Sequence, residues 1–312
     1  MTKLKIVFMG TPQFSIHILQ GLINHYEVVG VVTQPDKEVG RKRERKASPV
    51  KELALKYNIP VFQPFKIKEE YHDIIPLKPD LIVTCAYGQI IPKDLLDLPK
   101  YGCINVHASL LPKLRGGAPI HKAIINNELR TGITIMYMTE KMDAGDIISQ
   151  IETVINKDDN VGTLHDRLSE LGTRLLLDTI PNIVTGNIHP KPQDEKEVTY
   201  AWNITREDEK LDFSKSTIDI YNQIRGLNPW PGAYAILDDQ VVKIYEARIS
   251  DSFFTTKQNG EIGKVYEDGL GVSTKDGELI ITELQFAGKK KMKVKDLFHG
   301  KDKESFLGKI FK

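Results

Sequence analysis

The sequence predicts an α/β domain with a doubly wound, mostly parallel sheet, followed by a smaller β-rich domain. The first half alternates short apolar runs with amphipathic helical patterns, an order that builds a parallel sheet covered by helices. The last hundred or so residues instead alternate apolar and polar positions between turns such as "DDQ" and "KDG", which is typical of hairpins in a small barrel or sandwich. A length of 312 residues also favours two domains over one.

The N-terminal elements follow in order. "LKIVFM" predicts the first strand, and "PQFSIHILQGLINHY" predicts a helix with Phe14, Ile18 and Leu22 on one stripe. "EVVGVVT" predicts a second strand, whose unbroken valine content suits a sheet buried on both faces. "SPVKELALKYN" predicts a helix with Ser48 as N-cap and Pro49 as its first residue.

The next segments continue this alternation up to a long closing helix. "DLIVTC", "GCINVH" and "TGITIMYM" predict strands, "PKDLLDL" and "APIHKAIINN" predict helices, and "TLHDRLSELGTRLLLDTIPNIVTG" predicts the last helix. A polar, proline-containing stretch with weak periodicity comes next, as expected of a linker. We therefore place the first domain at 1–188, a linker at 189–205 and the second domain at 206–312. In the second domain, the helix "STIDIYNQIRGLN" precedes the strands "AYAIL", "VVKIYEARI", "GLGVST" and "ELIITEL".

Composition argues against several classes of protein. A hydrophobic fraction of 40% and a charged fraction of 27% are ordinary for a soluble protein, and no run approaches the roughly 20 apolar residues of a membrane helix. The N-terminal apolar run has strand length and no cleavage site, so we expect a cytoplasmic protein. Cys85 and Cys103 lie in apolar strands, which favours buried thiols over a disulfide or metal site.

Positive charge is concentrated in two places. Residues 37–46, "KEVGRKRERK", carry a net +4 and residues 289–312 carry a net +6, although the whole chain is only +1. Such excesses suggest two surfaces that meet a polyanion, although a solvated surface is the alternative. The first segment follows the second strand and places Gly40 next to Arg41, so a flexible, arginine-rich loop beside the sheet edge would suit nucleic-acid phosphates.

The turn after the first strand argues against a dinucleotide site. A dinucleotide-binding turn needs G-x-G-x-x-G, and "GTPQF" supplies one of those glycines. We interpret Gly10, Thr11 and Pro12 as a tight strand-to-helix turn.

Asn105 and His107 form the first candidate for chemistry. Side chains alternate along a strand, so both point to one face of "GCINVH", at the C-terminal end where α/β sheets collect ligands. The loop "SLLPKLRGGAP" that follows could approach a substrate closely. Either residue alone would fit a satisfied core position, but an amide and an imidazole together suit the binding of an oxyanion.

Asp143 completes the candidate set. It lies in "EKMDAGDII", after the C-terminal end of another predicted strand, although an Asx-type turn would also explain it. An acid, an imidazole and an amide with no metal set predict acyl transfer without a covalent enzyme intermediate. Cys103 is the rival nucleophile, but four strand residues, or about 13 Å, separate it from His107.

These motifs together carry a family resemblance. "GTPQF", "VVTQPD", "SPVK", "AYGQIIP", "GCINVHASLLPKLRGGAPI", "TGITIMYM", "MDAGDI" and "NPWPGAY" closely resemble the methionyl-tRNA formyltransferase family, in order and through both domains. The resemblance implies a Rossmann-like formyltransferase domain with an OB-like barrel. The "N-x-H…SLLP…D" core is shared with other enzymes that use formyltetrahydrofolate, and the basic insertion after "TQPD" is what points to tRNA.

The resemblance also implies roles for individual residues. Asn105, His107 and Asp143 match the catalytic trio. The residues expected to contact folate are Ser109, Leu110, Leu111 and Pro112, with Ala86, Tyr87, Gly88, Gln89, Ile90 and Ile91 as the wall of the pterin pocket. Arg41 matches an arginine that reaches the tRNA acceptor stem, and its basic neighbours Lys42, Arg43, Arg45 and Lys46 are expected to contribute, although Glu44 makes this segment more mixed in charge than the family pattern.

The implied function is transfer of a formyl group from 10-formyltetrahydrofolate to the α-amino group of methionine on initiator methionyl-tRNA, by a monomer that needs no metal. Three alternatives stay open: a formyltransferase for a small amine or sugar nucleotide, a formyltetrahydrofolate hydrolase, and a tRNA-binding module with a vestigial pocket. The first two do not need the basic segment 37–46, and the third does not need an intact trio.

Overall fold

The structure is a computed structural model and describes residues 3–39, 44–251, 258–300 and 302–312. The chain folds into two compact units. The first comprises Met1–Pro119, Arg130–Val154 and His165–Trp202, and the second comprises Ile120–Leu129, Ile155–Leu164 and Asn203–Lys312. The predicted linker, 189–205, thus has its residues up to Trp202 in the first unit. The boundaries proposed from the sequence stay a prediction.

The first unit is built on a twisted, mostly parallel sheet. Its strands are β1 (Lys5–Gly10), β2 (Glu27–Val32), β3 (Lys37–Val39), β4 (Glu44–Lys46), β5 (Val61–Phe62), β6 (Leu81–Cys85), β7 (Cys103–His107), β8 (Arg130–Tyr137) and β9 (Ile147–Val154). Within the described residues, seven of them form one sheet in the order β5-β2-β1-β6-β7-β8-β9. The pairs from β5 to β7 are parallel, whereas β8 is antiparallel to both β7 and β9. The predicted fold class is confirmed.

Helices follow several of these strands along the chain. They are α1 (Ser15–His25), α2 (Pro49–Lys56), α3 (Lys93–Leu96), α4 (Pro119–Ile125) and α5 (Val161–Thr185), with 3₁₀ turns at Ile75–Leu77 and Glu195–Glu197. Residues 120–125 of α4 and 161–164 of α5 belong to the second unit. The predicted start of α2 is confirmed, since the Ser48 side chain accepts from the Lys51 amide at 3.1 Å and Pro49 is the first helical residue. The stripe of α1 is confirmed as well, because Phe14, Ile18 and Leu22 are all buried.

Two features of the first unit were not predicted from the sequence. Edge strand β9 has no unbroken apolar run like that of a central strand. Its side chains are alternately half-buried and exposed over much of its length. The basic segment 37–46 was expected to be a flexible loop, but its two ends, β3 and β4, pair as an antiparallel hairpin. Cross-strand pairing places Glu38 opposite Arg45 and Lys37 opposite Lys46.

The second unit is an antiparallel β structure with one principal helix. Its elements are α6 (Arg206–Glu209), α7 (Thr217–Gly226), β10 (Ala233–Leu237), β11 (Gln240–Ile249), β12 (Ile262–Val265), β13 (Leu270–Ser273), β14 (Glu278–Phe286), β15 (Met292–Lys293), α8 (Val294–Leu297) and a 3₁₀ turn at Lys303–Phe306. The sheet order is β10-β11-β14-β13-β12, with β15 beside β14. Ile220 and Ile224 of α7 pack into the same buried core as Val242 and Leu284 of the sheet.

The C-terminal residues join the two edges of this sheet. Ile236 of β10 exchanges two backbone hydrogen bonds of 2.8 Å with Lys312, and Ile262 of β12 bonds to the backbone of Gly308 and Lys309. A segment that pairs with both edge strands closes the sheet, as an OB-like barrel requires. The end of the lysine-rich segment, at Gly308, Lys309 and Lys312, is therefore part of the barrel, and Lys309 forms an ion pair of 2.5 Å with Asp238.

Among the helices of the described residues, none combines the length and the apolar character needed to cross a membrane.

Candidate active site

Strand β7 carries Asn105 and His107 on one face, as the alternation of a strand requires. The strand is central in the sheet, with β6 and β8 as neighbours, so its side chains are largely shielded from water. His107 is only 6% exposed, and Asn105 is half-buried. A buried amide and a buried imidazole need hydrogen-bond partners, and both have them.

Asp143 reaches these two side chains by a route that differs from the sequence prediction, which places it at the C-terminal end of a neighbouring strand. Because β8 is antiparallel to β7, its last residue, Tyr137, lies opposite Ile104 at the start of β7 and not beside His107. The chain after β8 therefore folds back to bring Asp143 to the far end of β7. The turn puts Asp143 in the left-handed region, with φ of 49°, a conformation that Asp tolerates better than most residues.

The three polar side chains converge. Asn105 Nδ2 donates to Asp143 Oδ1 at 3.4 Å, and His107 Nδ1 lies 3.7 Å from Asp143 Oδ2. Asp143 Oδ2 also accepts a hydrogen bond of 2.8 Å from the backbone amide of Gly116. The carboxylate is thus held by Asn105 and by the Gly116 amide, while its separation from His107 Nδ1 is longer than a hydrogen bond.

The hydrogen bonds of His107 determine which ring nitrogen faces the Asp143 carboxylate. Nε2 lies 3.0 Å from the carbonyl oxygen of Leu114, and a carbonyl can only accept, so Nε2 carries a proton. Nδ1 is the nitrogen directed at Asp143. A proton on Nδ1 as well gives an imidazolium whose second N–H points at the carboxylate, whereas a neutral ring would oppose a lone pair to it.

The orientation of the Asn105 amide is set by a neighbouring strand. The Asp143 carboxylate can only accept, so the Asn105 atom that faces it is Nδ2, and Asn105 Oδ1 accepts from the Thr84 hydroxyl of β6 at 2.9 Å. Thr84 is a polar residue in the otherwise apolar run "DLIVTC", and that interruption is the signal that could have identified it from the sequence.

The loop predicted to contact folate, Ser109–Pro112, follows β7 directly. Ser109 is fully buried, and its hydroxyl donates to the Lys113 carbonyl at 2.6 Å, so it shapes the loop rather than facing solvent. Leu111 is also buried and its amide donates to Thr134 Oγ1 at 3.1 Å. Leu110 and Pro112 are half-buried, and contact of this loop with folate stays a prediction.

The predicted pterin wall, residues 86–91, alternates between the core and the surface. Tyr87 and Ile91 are buried in the core cluster beneath the sheet, and burial raises the pKa of the Tyr87 phenol. Gln89 accepts from the Ile67 amide at 2.8 Å and so holds a neighbouring segment. Ala86, Gly88 and Ile90 are exposed. The last three form the accessible surface of this turn.

The residues predicted to bind tRNA are only partly within the described chain. Arg41, Lys42 and Arg43 lie outside the described residues. Arg45 and Lys46 are exposed on β4.

The two cysteines are buried, as predicted. Burial raises the pKa of Cys85 to about 12 and also raises that of Cys103, whose thiol lies 3.5 Å from the Leu95 carbonyl in an apolar cluster. A thiol in such a place is a poor nucleophile. Within the described residues, no group of three or more His, Cys, Asp or Glu side chains could hold a metal ion.

A segment far along the chain completes the surroundings of the site. The backbone of Arg115 pairs with Thr199 and Ala201, with hydrogen bonds of 2.9 and 2.7 Å. Gly116 allows this approach, because a Cβ at that position would lie 2.7 Å from the Ala201 carbonyl oxygen. On the outer side of the segment, Tyr200 and Trp202 stack with ring centroids 5.0 Å apart and planes at 5°. These residues are not predicted from the sequence, because the polar, proline-containing stretch resembles a linker.

Comparison with known proteins identifies the relatives of this chain. The model of the formyl transferase family matches residues 4–180, and the model of the formyl transferase C-terminal domain matches residues 203–302. The methionyl-tRNA formyltransferase of Bacillus subtilis (strain 168) is 56% identical over 300 residues, which cover 95% of this chain and 94% of that protein. That of Bacillus cereus (strain B4264) is 52% identical over 301 residues, covering 95% of this chain and 96% of that protein.

Solved structures share the fold at lower identity. WlaRD, a sugar 3N-formyl transferase solved in the presence of dTDP and 5-N-formyl-THF, superposes with a TM-score of 0.66 at 22% identity, over 93% of this chain and all of that one. HypX from Aquifex aeolicus, in complex with tetrahydrofolic acid, gives a TM-score of 0.64 at 18% identity over 96% of this chain, which spans about half the length of HypX. The matches along both units, together with more than 50% identity over nearly the whole length, show that the chain belongs to the formyl transferase family, among its methionyl-tRNA formyltransferases.

Proposed function

We propose that this protein transfers the formyl group of 10-formyltetrahydrofolate to the free α-amino group of methionine on initiator methionyl-tRNA, as a cytoplasmic monomer. The observation that carries the proposal is the convergence of Asn105, His107 and Asp143 on one position at the end of β7. An amide donor, an imidazole and a carboxylate around a single point suit a reaction in which negative charge develops on one oxygen.

Asn105 and His107 stabilise the tetrahedral intermediate. When the amine attacks, a new N–C bond forms and the carbonyl π electrons move to the formyl oxygen. The Asn105 Nδ2–H and the His107 Nδ1–H are the two donors available to that oxygen, because Asn105 Oδ1 and His107 Nε2 are already bonded to Thr84 and Leu114. A preorganised donor of this kind contributes about 3 kcal/mol to transition-state stabilisation.

Asp143 transfers the proton between the amine and the leaving group. The attacking amine must lose a proton, and the N10 nitrogen of tetrahydrofolate must gain one as the old C–N bond breaks. The Asp143 carboxylate can accept the amine proton, directly or through water, and can pass that proton to N10 as the old C–N bond breaks, so the protons balance. It is held at Oδ2 by the Gly116 amide, which keeps its position fixed during these transfers.

The folate donor fits the exposed part of the turn after β6. The exposed residues of this turn are small or apolar: Ala86, Gly88 and Ile90. Tyr87 packs in the core and Gln89 bonds to the Ile67 amide, and both contacts hold the turn in place. A partly apolar edge of this kind suits a flat heterocycle such as a pterin. We assign these residues and the Ser109–Pro112 loop to binding of the donor.

The stacked pair Tyr200 and Trp202 suits the acceptor end of the tRNA. Trp202 is 60% exposed, and its ring and that of Tyr200 form a flat aromatic surface on the segment that pairs with Arg115 and closes against Gly116. Nucleobases stack on such surfaces without regard to sequence. We assign this pair to a base near the aminoacylated 3′ end, with Arg41, Lys42, Arg43, Arg45 and Lys46 on the phosphates.

The test is an acceptor comparison with the purified protein. 10-Formyltetrahydrofolate is incubated with initiator methionyl-tRNA, with a dTDP-linked amino sugar, or with no acceptor, and formylated products and released tetrahydrofolate are quantified. We expect N-formylmethionine after deacylation of the tRNA and little release without acceptor. Formylation of the sugar alone would favour the small-amine alternative, and equal release in all three arms would favour the hydrolase.

A further inference from the structure

The turn that carries Asp143 requires external support. Residues 138–146 connect two antiparallel strands, and Asp143 has a left-handed backbone. The chain must fold back to bring the carboxylate to His107, so nothing in the β8–β9 ladder itself determines where the carboxylate lies. A catalytic group in this position needs neighbours that fix it, because a misplacement of about 1 Å can cost about 10²-fold in rate.

Gln193 supplies that support with its side-chain amide. Its Nε2 donates to the carbonyl oxygens of Asp143 and Gly145, each at 2.8 Å. One amide group therefore holds both carbonyls that flank Ala144. An amide nitrogen has two protons, and both are used on this turn.

Arg115 holds the other end of the same amide. Gln193 Oε1 accepts from Arg115 Nε at 3.0 Å and from Nη2 at 2.8 Å, so all four hydrogen-bonding sites of the Gln193 amide are filled. The Arg115 side chain is only 3% exposed and is paired with Glu195 at 2.9 Å, and its hydrogen bond lowers the pKa of that carboxyl group. The guanidinium orients Gln193 rigidly, because its donors have a fixed planar geometry.

The same distant segment also anchors to both sides of the site through its backbone. Lys191 exchanges two hydrogen bonds with Ile147, just after the turn, at 2.8 and 2.9 Å. Thr199 and Ala201 pair with Arg115, next to the Gly116 amide that donates to Asp143 Oδ2. Gln193 lies between these two anchors and links them.

We propose that Gln193, oriented by Arg115, is a positioning residue for catalysis: it sets the distance between the Asp143 carboxylate and His107. This inference rests on the proposed function, and it adds a residue whose contribution comes through Asp143 rather than through contact with substrate. It predicts that loss of the amide lowers kcat and leaves the KM values for folate and tRNA nearly unchanged.

A matched pair of variants tests the idea. Gln223 in the second unit uses the same chemistry, since its Nε2 donates to the carbonyls of Asp208 and Lys210 at 2.8 and 2.9 Å. Gln193→Leu and Gln223→Leu each remove one glutamine amide that bridges two carbonyls. We expect Gln193→Leu to lower kcat about 10- to 100-fold with KM within twofold, and Gln223→Leu to leave kcat within twofold at a similar loss of Tm.

A second variant covers the case in which Gln193→Leu folds poorly. Gln193→Glu keeps acceptors for Arg115 and adds a charge to that pair, which offsets part of the repulsion between its carboxylate and the two carbonyls. Its Tm should therefore fall less than that of Gln193→Leu, while kcat falls as in Gln193→Leu. Equal losses of kcat in Gln193→Leu and Gln223→Leu, or a full kcat in Gln193→Glu, would overturn the proposal. So would a rise in the KM for tRNA at unchanged kcat.

One further readout does not depend on any substrate, so it separates this proposal from the proposed function. The Gly116 amide donates to Asp143 Oδ2, so its hydrogen exchange reports the position of the carboxylate. Exchange at Gly116, followed by NMR on ¹⁵N-glycine-labelled protein, should accelerate at least tenfold in Gln193→Leu and stay unchanged in Gln223→Leu. Unchanged exchange in Gln193→Leu would contradict the positioning role, even if the wild-type protein formylated another acceptor.

Discussion

His107 Nδ1 lies 3.7 Å from Asp143 Oδ2, while the other ring nitrogen of His107 is bonded to the Leu114 carbonyl. This relationship leaves one N–H of the imidazolium form for chemistry, at the position where Asn105 Nδ2 is also directed. The proposed mechanism depends on this arrangement.

His107→Ala should lower kcat by about 10² or more, because it removes one of two donors to the oxyanion. The dissociation constant for tRNA should change less than twofold. His25→Ala is the matched control, since His25 Nδ1 also contacts a backbone carbonyl, that of Gly21 at 2.8 Å, on α1. Weaker tRNA binding at full kcat in His107→Ala would contradict the assignment.

Thr84→Val should lower kcat about fivefold, because it removes a hydrogen bond of about 1 kcal/mol that orients the Asn105 amide. Thr131→Val is a suitable control, since the buried Thr131 hydroxyl has no hydrogen-bond partner among the described residues. Steady-state kinetics of both variants give the comparison. Similar kcat values for the two would mean that Thr84 does not orient Asn105.

Trp202→Ala should raise the KM for methionyl-tRNA about tenfold, within the 1–3 kcal/mol that one base–aromatic stack contributes. The KM for the folate donor should not change. Tyr57→Ala removes another exposed aromatic side chain and should leave both values as they are. Binding can also be followed directly: the chain has two tryptophans, so in a Trp230→Phe variant the quenching of Trp202 fluorescence by tRNA reports stacking. An unquenched signal at saturating tRNA would exclude it.

Arg41→Ala should weaken tRNA binding and reduce the slope of log K against log salt by about 1, as loss of one phosphate contact requires. Arg130→Ala serves as control, because Arg130 is an exposed arginine already paired with Glu152. The affinities are measured at several salt concentrations. The same slope in Arg41→Ala and the wild type would show that Arg41 contacts no phosphate.

Neither cysteine should react quickly with iodoacetamide in the folded protein at pH 8. Burial raises the pKa of Cys85 to about 12, which leaves a thiolate fraction of about 10⁻⁴ at that pH. Because the thiolate is the reactive form, the rate of Cys85 labelling should rise about tenfold per pH unit below that pKa, and both thiols should react once the protein is unfolded. Fast labelling of Cys103 with loss of activity would restore it as a candidate nucleophile.

The sequence by itself determined the elements of the fold and the residue types of the site. Valine-rich runs, the Ser48–Pro49 helix start and the strand alternation that puts Asn105 and His107 on one face all depend on local spacing, and the structure has each of them. Such features are visible in sequence because neighbours along the chain decide them.

Only the tertiary structure decided how the site is assembled. The antiparallel course of β8, the fold-back that brings Asp143 to His107, and the reach of Gln193 and Arg115 across about 80 residues depend on contacts between distant segments. The polar stretch 189–202 has no periodic apolar pattern, so its sequence resembles a linker. Its backbone and the side-chain amide of Gln193 nevertheless hold the turn that carries Asp143. A side chain that bonds to a backbone carbonyl leaves no periodic pattern in the sequence. These contacts are therefore visible only in the folded structure.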